Sequence, residues 1–213
     1  MNSPSPASVQ AMYLLRDSTH FQWALVPIFA VIAYLYCQEI SARKWNVVIA
    51  GLAFYGIEWL GEVVNALVLH FSGYAALWAE PGPTAYLVLV GLNIETSLMF
   101  LVFGLAVAKL LPARPEKKIF GVPNRLLVIL GFSLFSVAVE TVLNAWGALT
   151  WDYRWWGWPN IWSVILVAYA PAIAFTIWVH DLKSVRHKLW VLGGIYLLDA
   201  LCLVLFIGVL KWI

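Results

Sequence analysis

Charge is what this sequence has least of. Only 11% of its 213 residues are charged, against roughly 25% in soluble domains. With 63% hydrophobic residues, the chain cannot cover its apolar surface in water, which excludes a soluble globular domain. Its two cysteines, Cys37 and Cys202, sit alone in apolar runs and support neither a disulfide framework nor a zinc knuckle. The four histidines, His20, His70, His180 and His187, lie at run ends or between runs, so no mid-span pair offers axial ligands to haem. The last apolar run has no central lysine for a retinal Schiff base. There is no HExxH, no glycine-rich phosphate loop, no GxSxG elbow and no DDxxD sequence. Neither a cofactor nor a metal is expected, because no acid spacing requires one. A net charge of +2 gives no nucleic-acid footprint.

Long apolar runs are abundant. A bilayer core of about 30 Å needs roughly 20 mostly apolar residues per helix. Six runs qualify, at about 21–37, 46–71, 85–111, 125–150, 159–179 and 189–212. Breaks fall at Glu80-Pro81-Gly82-Pro83, at Pro112-Ala113-Arg114-Pro115 and at Gly157-Trp158-Pro159. The expected fold is all-α: a polytopic integral membrane bundle of about six transmembrane helices. Residues 21–213 should form one domain, preceded by a polar segment over 1–20. That segment lacks the basic start and cleavage site of a signal peptide. Within it, residues 9–15 fit a short interfacial helix or an unstructured tail. Of the 13 Lys and Arg residues, all but Arg16, Arg154 and Lys211 lie in alternate loops or at their flanks. The positive-inside rule then puts both termini on the non-cytoplasmic side. The expected setting is a bacterial inner membrane or an endoplasmic reticulum membrane.

Acids are few but misplaced. Glu58, Glu62, Glu95, Glu140 and Asp199 fall inside expected spans, with no Lys or Arg deep enough to pair with them. An ionised group at the bilayer centre costs about 2.5–3.5 kcal/mol on insertion scales. These acids should therefore face the bundle interior, near the midplane or towards the outer side. Glu58, Glu62 and Asn65 share one face of a helix, and Glu140 and Asn144 repeat the i, i+4 spacing. Convergence at one depth predicts a single polar chamber. Interhelical hydrogen bonding is the plainer use of such groups.

Aromatic residues crowd the same side. Trp59, Trp78, Trp146, Trp151, Trp155, Trp156, Trp158 and Trp162 fall in the outer half or the outer loops, and the other end has only Trp45, Trp178 and Trp190. An interfacial belt explains aromatic residues at both faces. The asymmetry instead suggests a lining for an apolar ligand. A weak internal repeat runs from Glu62-Val63-Val64-Asn65 through Trp78 to Pro81, and from Glu140-Thr141-Val142-Leu143-Asn144 through Trp151 to Pro159.

These residues resemble several groups of small membrane enzymes that protonate isoprenoid double bonds. Membrane-bound terpene cyclases carry a functional acid on the second span and another on the last, which Glu58 or Glu62 and Asp199 would match. Carotenoid-biosynthesis hydratases have an acid–aromatic–Gly-x-Pro pattern similar to Glu140, Trp151 and Gly157-Trp158-Pro159-Asn160. Asn160-Ile161-Trp162, with Pro171, looks like part of the emopamil-binding sterol-isomerase pattern. The resemblance implies a cyclase, isomerase or hydratase using buried carboxylic acids to protonate an alkene or epoxide. Glu58, Glu62, Glu140 and Asp199 are the candidate catalytic residues. Asn65, Glu95, Asn144, Trp59, Trp146, Trp151, Trp155, Trp156, Trp162 and Tyr169 are the candidate substrate contacts. The expected partners are a lipophilic, isoprenoid-type molecule and membrane lipid. A proton-coupled small transporter is the alternative, since intramembrane acids also build proton relays. A non-catalytic membrane subunit or lipid-binding module is the other.

Overall fold

The computed structural model describes residues 3–19 and 21–213. Seven helices dominate: α1 (Pro6–Leu14), α2 (Leu25–Ser41), α3 (Trp45–Ser72), α4 (Ile94–Leu110), α5 (Asn124–Ala145), α6 (Ile161–Asp181) and α7 (Val185–Val209). Four of them, α3, α5, α6 and α7, are 28, 22, 21 and 25 residues long and apolar enough to cross a membrane. Helices α2 and α4 have 17 residues each, about 25 Å at the α-helical rise, which is the short limit for a span.

The third expected span begins later than its hydropathy suggested. Residues 85–93 leave the helix and form a two-stranded hairpin, β1 (Leu87–Leu89) and β2 (Leu92–Asn93). Its leucines, Leu87, Leu89 and Leu92, are fully buried beneath α1 and against α3 and α7. An apolar run of this length fills either a span or a buried turn, and hydropathy alone does not separate them. Asn93 then starts α4, its Oδ1 accepting from the Thr96 amide at 2.7 Å. A second small hairpin, β3 (Lys118–Ile119) and β4 (Val122–Pro123), precedes α5.

Helix α3 is the hub, packing on α4, α6 and α7. Small residues allow the approach: a Cβ on Gly104 of α4 would lie 2.6 Å from the Gly51 carbonyl oxygen of α3. The two ends of the bundle differ in kind. One collects the ends of helices rich in bases, where Glu39 meets Lys109 and Arg125 meets Asp181. The other is an aromatic cap made of α1, β1–β2 and the loop 146–160. In this cap Ser5 donates from its amide to the Tyr74 carbonyl at 2.9 Å and from its hydroxyl to Asp152 at 2.7 Å. Helix α1 begins on Ser5 as N-cap with Pro6 behind it, and buries Ala11 against Ala66, Ala76, Leu87 and Val90.

Candidate functional site

A cavity of about 1140 Å³ lies between α3, α4, α5 and α6 and reaches up to the aromatic cap. Its wall is mostly apolar, with four carboxyl groups near the cap: Glu58 and Glu62 from α3, Glu80 from the loop after it, and Glu140 from α5. Among the described residues no Lys, Arg or His lines it. Among the described residues no group of three His, Cys, Asp or Glu is arranged to hold a metal.

The four acids have different company. Glu62 takes the Trp78 indole N–H, with both carboxyl oxygens 3.1 Å from the ring nitrogen. Glu140 accepts a hydrogen bond from the Tyr169 hydroxyl. Glu80 accepts from the Asn93 amide and the Thr96 hydroxyl, each at 2.7 Å. Burial pushes the Glu80 carboxyl up to about 8, against the opposing pull of these two donors. Glu58 has no hydrogen-bond partner among the described residues, yet it lies within electrostatic reach of Glu140. Every partner in the chamber is a neutral donor.

Local backbone explains the placement. Asn65, fully buried one turn after Glu62, accepts from the amides of Leu77 and Trp78 at 2.8 and 3.2 Å and donates to the Trp78 carbonyl at 2.8 Å. It therefore positions Trp78, which in turn holds Glu62. The hairpin crosses this point at Gly91, where a Cβ would lie 2.6 Å from the Trp78 ring. In α6, residues Ile165–Tyr169 form a π-helical turn. Pro171 has no N–H to offer the preceding turn, and the wider turn ends on Tyr169, which faces Glu140. The Trp78 and Trp156 rings stack at 5.8 Å and 19°, and both line the cavity.

The weak internal repeat has a structural counterpart. Ala79, after Trp78, and Thr150, before Trp151, exchange backbone hydrogen bonds of 3.1 and 2.8 Å, so the two aromatic turns pair across the cap. Asn144 works as Asn65 does, donating to the Leu149 carbonyl at 3.1 Å.

Of the candidate residues, Glu58, Glu62, Glu140, Tyr169 and Trp156 meet on the cavity wall. Asp199 does not join them, which corrects the expected convergence of all five acids. It lies on α7, which packs against the other side of α3, and among the described residues α7 contributes nothing to the cavity and the Asp199 Oδ1 is buried without a hydrogen-bond partner. Trp59 is on that side too, packed near Leu203 and Cys202. Glu95 closes a turn instead, accepting from the Thr84 hydroxyl at 2.7 Å and the Ala85 amide at 2.8 Å. Asn65 and Asn144 brace backbone and stand behind the wall. Trp151 packs behind Trp156, under Gly157, where a Cβ would lie 2.3 Å from the ring. Trp146, Trp155 and Trp162 are 77%, 54% and 62% exposed, on surfaces that point away from the cavity.

Trp78 and Glu80 also bring polar groups to the wall, and the sequence hides both: Trp78 belongs to the aromatic rim, and Glu80 to a Pro/Gly break, although an acid after Ala75-Ala76-Leu77-Trp78-Ala79 with no neighbouring base is a usable signal.

Comparison with known proteins gives a full-length relative and a much shorter one. An Archaeoglobus fulgidus protein described as uncharacterized is 42% identical over 210 residues, covering 99% of this chain and 100% of its own length. A second uncharacterized protein from that organism is 36% identical over 50 residues, covering 24% of this chain and 89% of itself. No solved structure matches the chain. A family model matches residues 5–208, and with that coverage the chain belongs to an uncharacterized membrane protein family.

Proposed function

We propose that the chain is a membrane enzyme that protonates an alkene or epoxide of a lipophilic, isoprenoid-type substrate, with Glu58 as the proton donor. One observation carries the reading: among the described residues Glu58 has no hydrogen-bond partner and lines a large apolar cavity with no cation on its wall. Four carboxylates in a medium that screens poorly repel one another, so sharing protons is the cheaper arrangement. A carboxylic acid that keeps its proton at neutral pH is a general acid.

The chemistry balances within the cavity. Glu58 gives its proton to an alkene carbon or an epoxide oxygen, leaving a carbocation on the substrate and a carboxylate on Glu58. The stacked faces of Trp78 and Trp156 stabilise the cation, by about 2 kcal/mol or more where water is excluded. Loss of a neighbouring proton to Glu140 or back to Glu58 yields an isomer or a cyclised product. Capture of water, whose spare proton returns to the carboxylate, yields an alcohol. Tyr169 orients Glu140, and Asn65 orients Glu62 through Trp78. Asp199, on the far side of α3, has no part in this scheme. The substrate's apolar remainder occupies the lower cavity between α4 and α5, where Phe103 and Phe132 meet at 5.3 Å.

The basic end faces the cytoplasm in this reading, and both termini lie outside. The archaeal source of the relatives argues for a prokaryotic cytoplasmic membrane. Organic extraction of the purified protein, followed by mass spectrometry, tests the substrate class. An isoprenoid retained by wild type and lost from a cavity-filling Gly61→Phe variant is the expected result. Retention of phospholipid alone by both would contradict it.

A further inference from the structure

The aromatic end holds a second cavity, of about 570 Å³, which shares no lining residue with the first. The hairpin separates them, with Leu89 and Val90 on the second cavity and Gly91 on the first. Much of its wall is apolar, from Leu69 on α3, Ile207 on α7 and Met12 on α1. Its titratable side chains are all basic, Arg16, Lys211 and His70, and the terminal carboxylate of Ile213 on the same wall forms no ion pair with them among the described residues.

This concentration runs against the charge bias of the chain. Only Arg16, Arg154 and Lys211 of the 13 Lys and Arg residues belong to this end, and two of those three come together here from opposite ends of the sequence. No ion pair engages Arg16 or Lys211 among the described residues. Nη2 of Arg16 is buried with no hydrogen-bond partner among the described residues, and burial pushes its guanidinium down from the ordinary value. Both residues hold positive φ angles, 59° and 54°, a backbone region that arginine and lysine rarely occupy. His70 stacks on Trp212 at 4.9 Å and 14° beside them. The half-buried Arg16 has one nitrogen removed from water without a hydrogen bond in return, and an anion in the cavity would supply it.

We propose that this second cavity binds the phosphate headgroup of an anionic lipid, with Arg16 and Lys211 on the phosphate and the lipid chain along Leu69, Leu89 and Ile207. A phosphate group alone would satisfy the cations, but the apolar wall at the membrane surface fits a phosphate that carries a hydrocarbon chain. The proposal is independent of the acid chamber.

Native mass spectrometry of the purified full chain, titrated with phosphatidylglycerol and with phosphatidylcholine of matched chains, tests it. Wild type should hold phosphatidylglycerol the more tightly. Arg16→Gln with Lys211→Gln should weaken that binding about tenfold or more. Arg16→Lys should keep the preference, and Arg154→Gln, an exposed cation outside the cavity, should leave it unchanged. Lys211→Gln alone, at an exposed position, gives a smaller loss and serves if the double variant does not fold. Equal affinity for the two lipids, unchanged binding in Lys211→Gln, or an equal loss in Arg154→Gln would overturn the site. Displacement of phosphatidylglycerol by inorganic phosphate at equal concentration would overturn the lipid assignment in favour of a free anion.

Discussion

Acids at the two ends of the bundle keep opposite company. At the basic end Glu39 is bound by Lys109 at 2.6 Å and Lys44 at 3.4 Å. Asp181 there is gripped by Arg125 through two bonds of 2.9 Å. At the aromatic end, among the described residues, Glu62, Glu80 and Glu140 have only indole, hydroxyl and amide donors, and Glu58 has none. The residue type is the same, but only at the basic end do cations reach the acids, since the aromatic end's Arg16 and Lys211 lie on a separate cavity. A carboxylate paired with a fixed base holds helices together and has no proton to give. A set of carboxyls kept from every base and turned to an apolar cavity retains that option, which is why the chemistry is assigned to the aromatic end.

The largest expected break in this contrast is Glu58→Gln. The amide keeps shape but removes the transferable proton, so turnover should fall by about 10²–10⁴-fold. Melting temperature should stay level or rise, since no bond within the protein is lost. Next comes the aromatic wall. Trp156 is 2% exposed and stacked on Trp78, whereas its neighbour Trp155 is mostly exposed. Trp156→Ala should therefore cost about 3–5 kcal/mol of stability and lose the apolar ligand, as read by denaturation and by lipid extraction. Trp155→Ala should change neither by a comparable amount.

The paired end should respond in stability alone. Asp181→Asn breaks the fork to Arg125 and should cost about 1–3 kcal/mol in thermal or denaturant unfolding, with turnover per folded molecule unchanged. The smallest effect is a slope. Glu80 is raised from 4.5 to about 8, so the folded protein binds a proton on it that the unfolded chain releases across that range. Its contribution is full below pH 4.5 and is lost as pH rises through about 8. Glu80→Gln should flatten that part of the stability–pH curve, measured by melting temperature across the window.

Much of this architecture was legible in the sequence, because hydropathy reports burial in a bilayer directly. The helices carrying Glu58, Glu62 and Glu140, and the shared face of Glu62 and Asn65, follow from run length and helical spacing. Hydropathy failed where an apolar run had another place to be buried: residues 85–93 fill the cap as a hairpin. Depth along a helix was also legible, but rotation about it was not. Asp199 was expected beside the other acids, yet α7 lies across α3 from the cavity. The same ambiguity separates Trp156 from Trp155 and Trp162, neighbours in sequence that face opposite environments. Asn65 and Asn144 looked like side chains for a ligand, and their bonds go instead to backbone that the sequence does not bring near them. Glu80 was hidden by its proline-rich neighbourhood.

Deuterium uptake in D₂O tests the central claim most directly. The purified protein is incubated with an acyclic polyene or its terminal epoxide, and the extracted lipid is weighed by mass spectrometry. With the polyene, wild type should place carbon-bound deuterium at the protonated position, and Glu58→Gln should place none above the no-enzyme blank. With the epoxide, wild type should give a ring-opened product that Glu58→Gln does not. Glu39→Gln, at the paired end, should label as wild type does. Equal labelling by Glu58→Gln and wild type, or labelling lost in Glu39→Gln and kept in Glu58→Gln, would contradict the account.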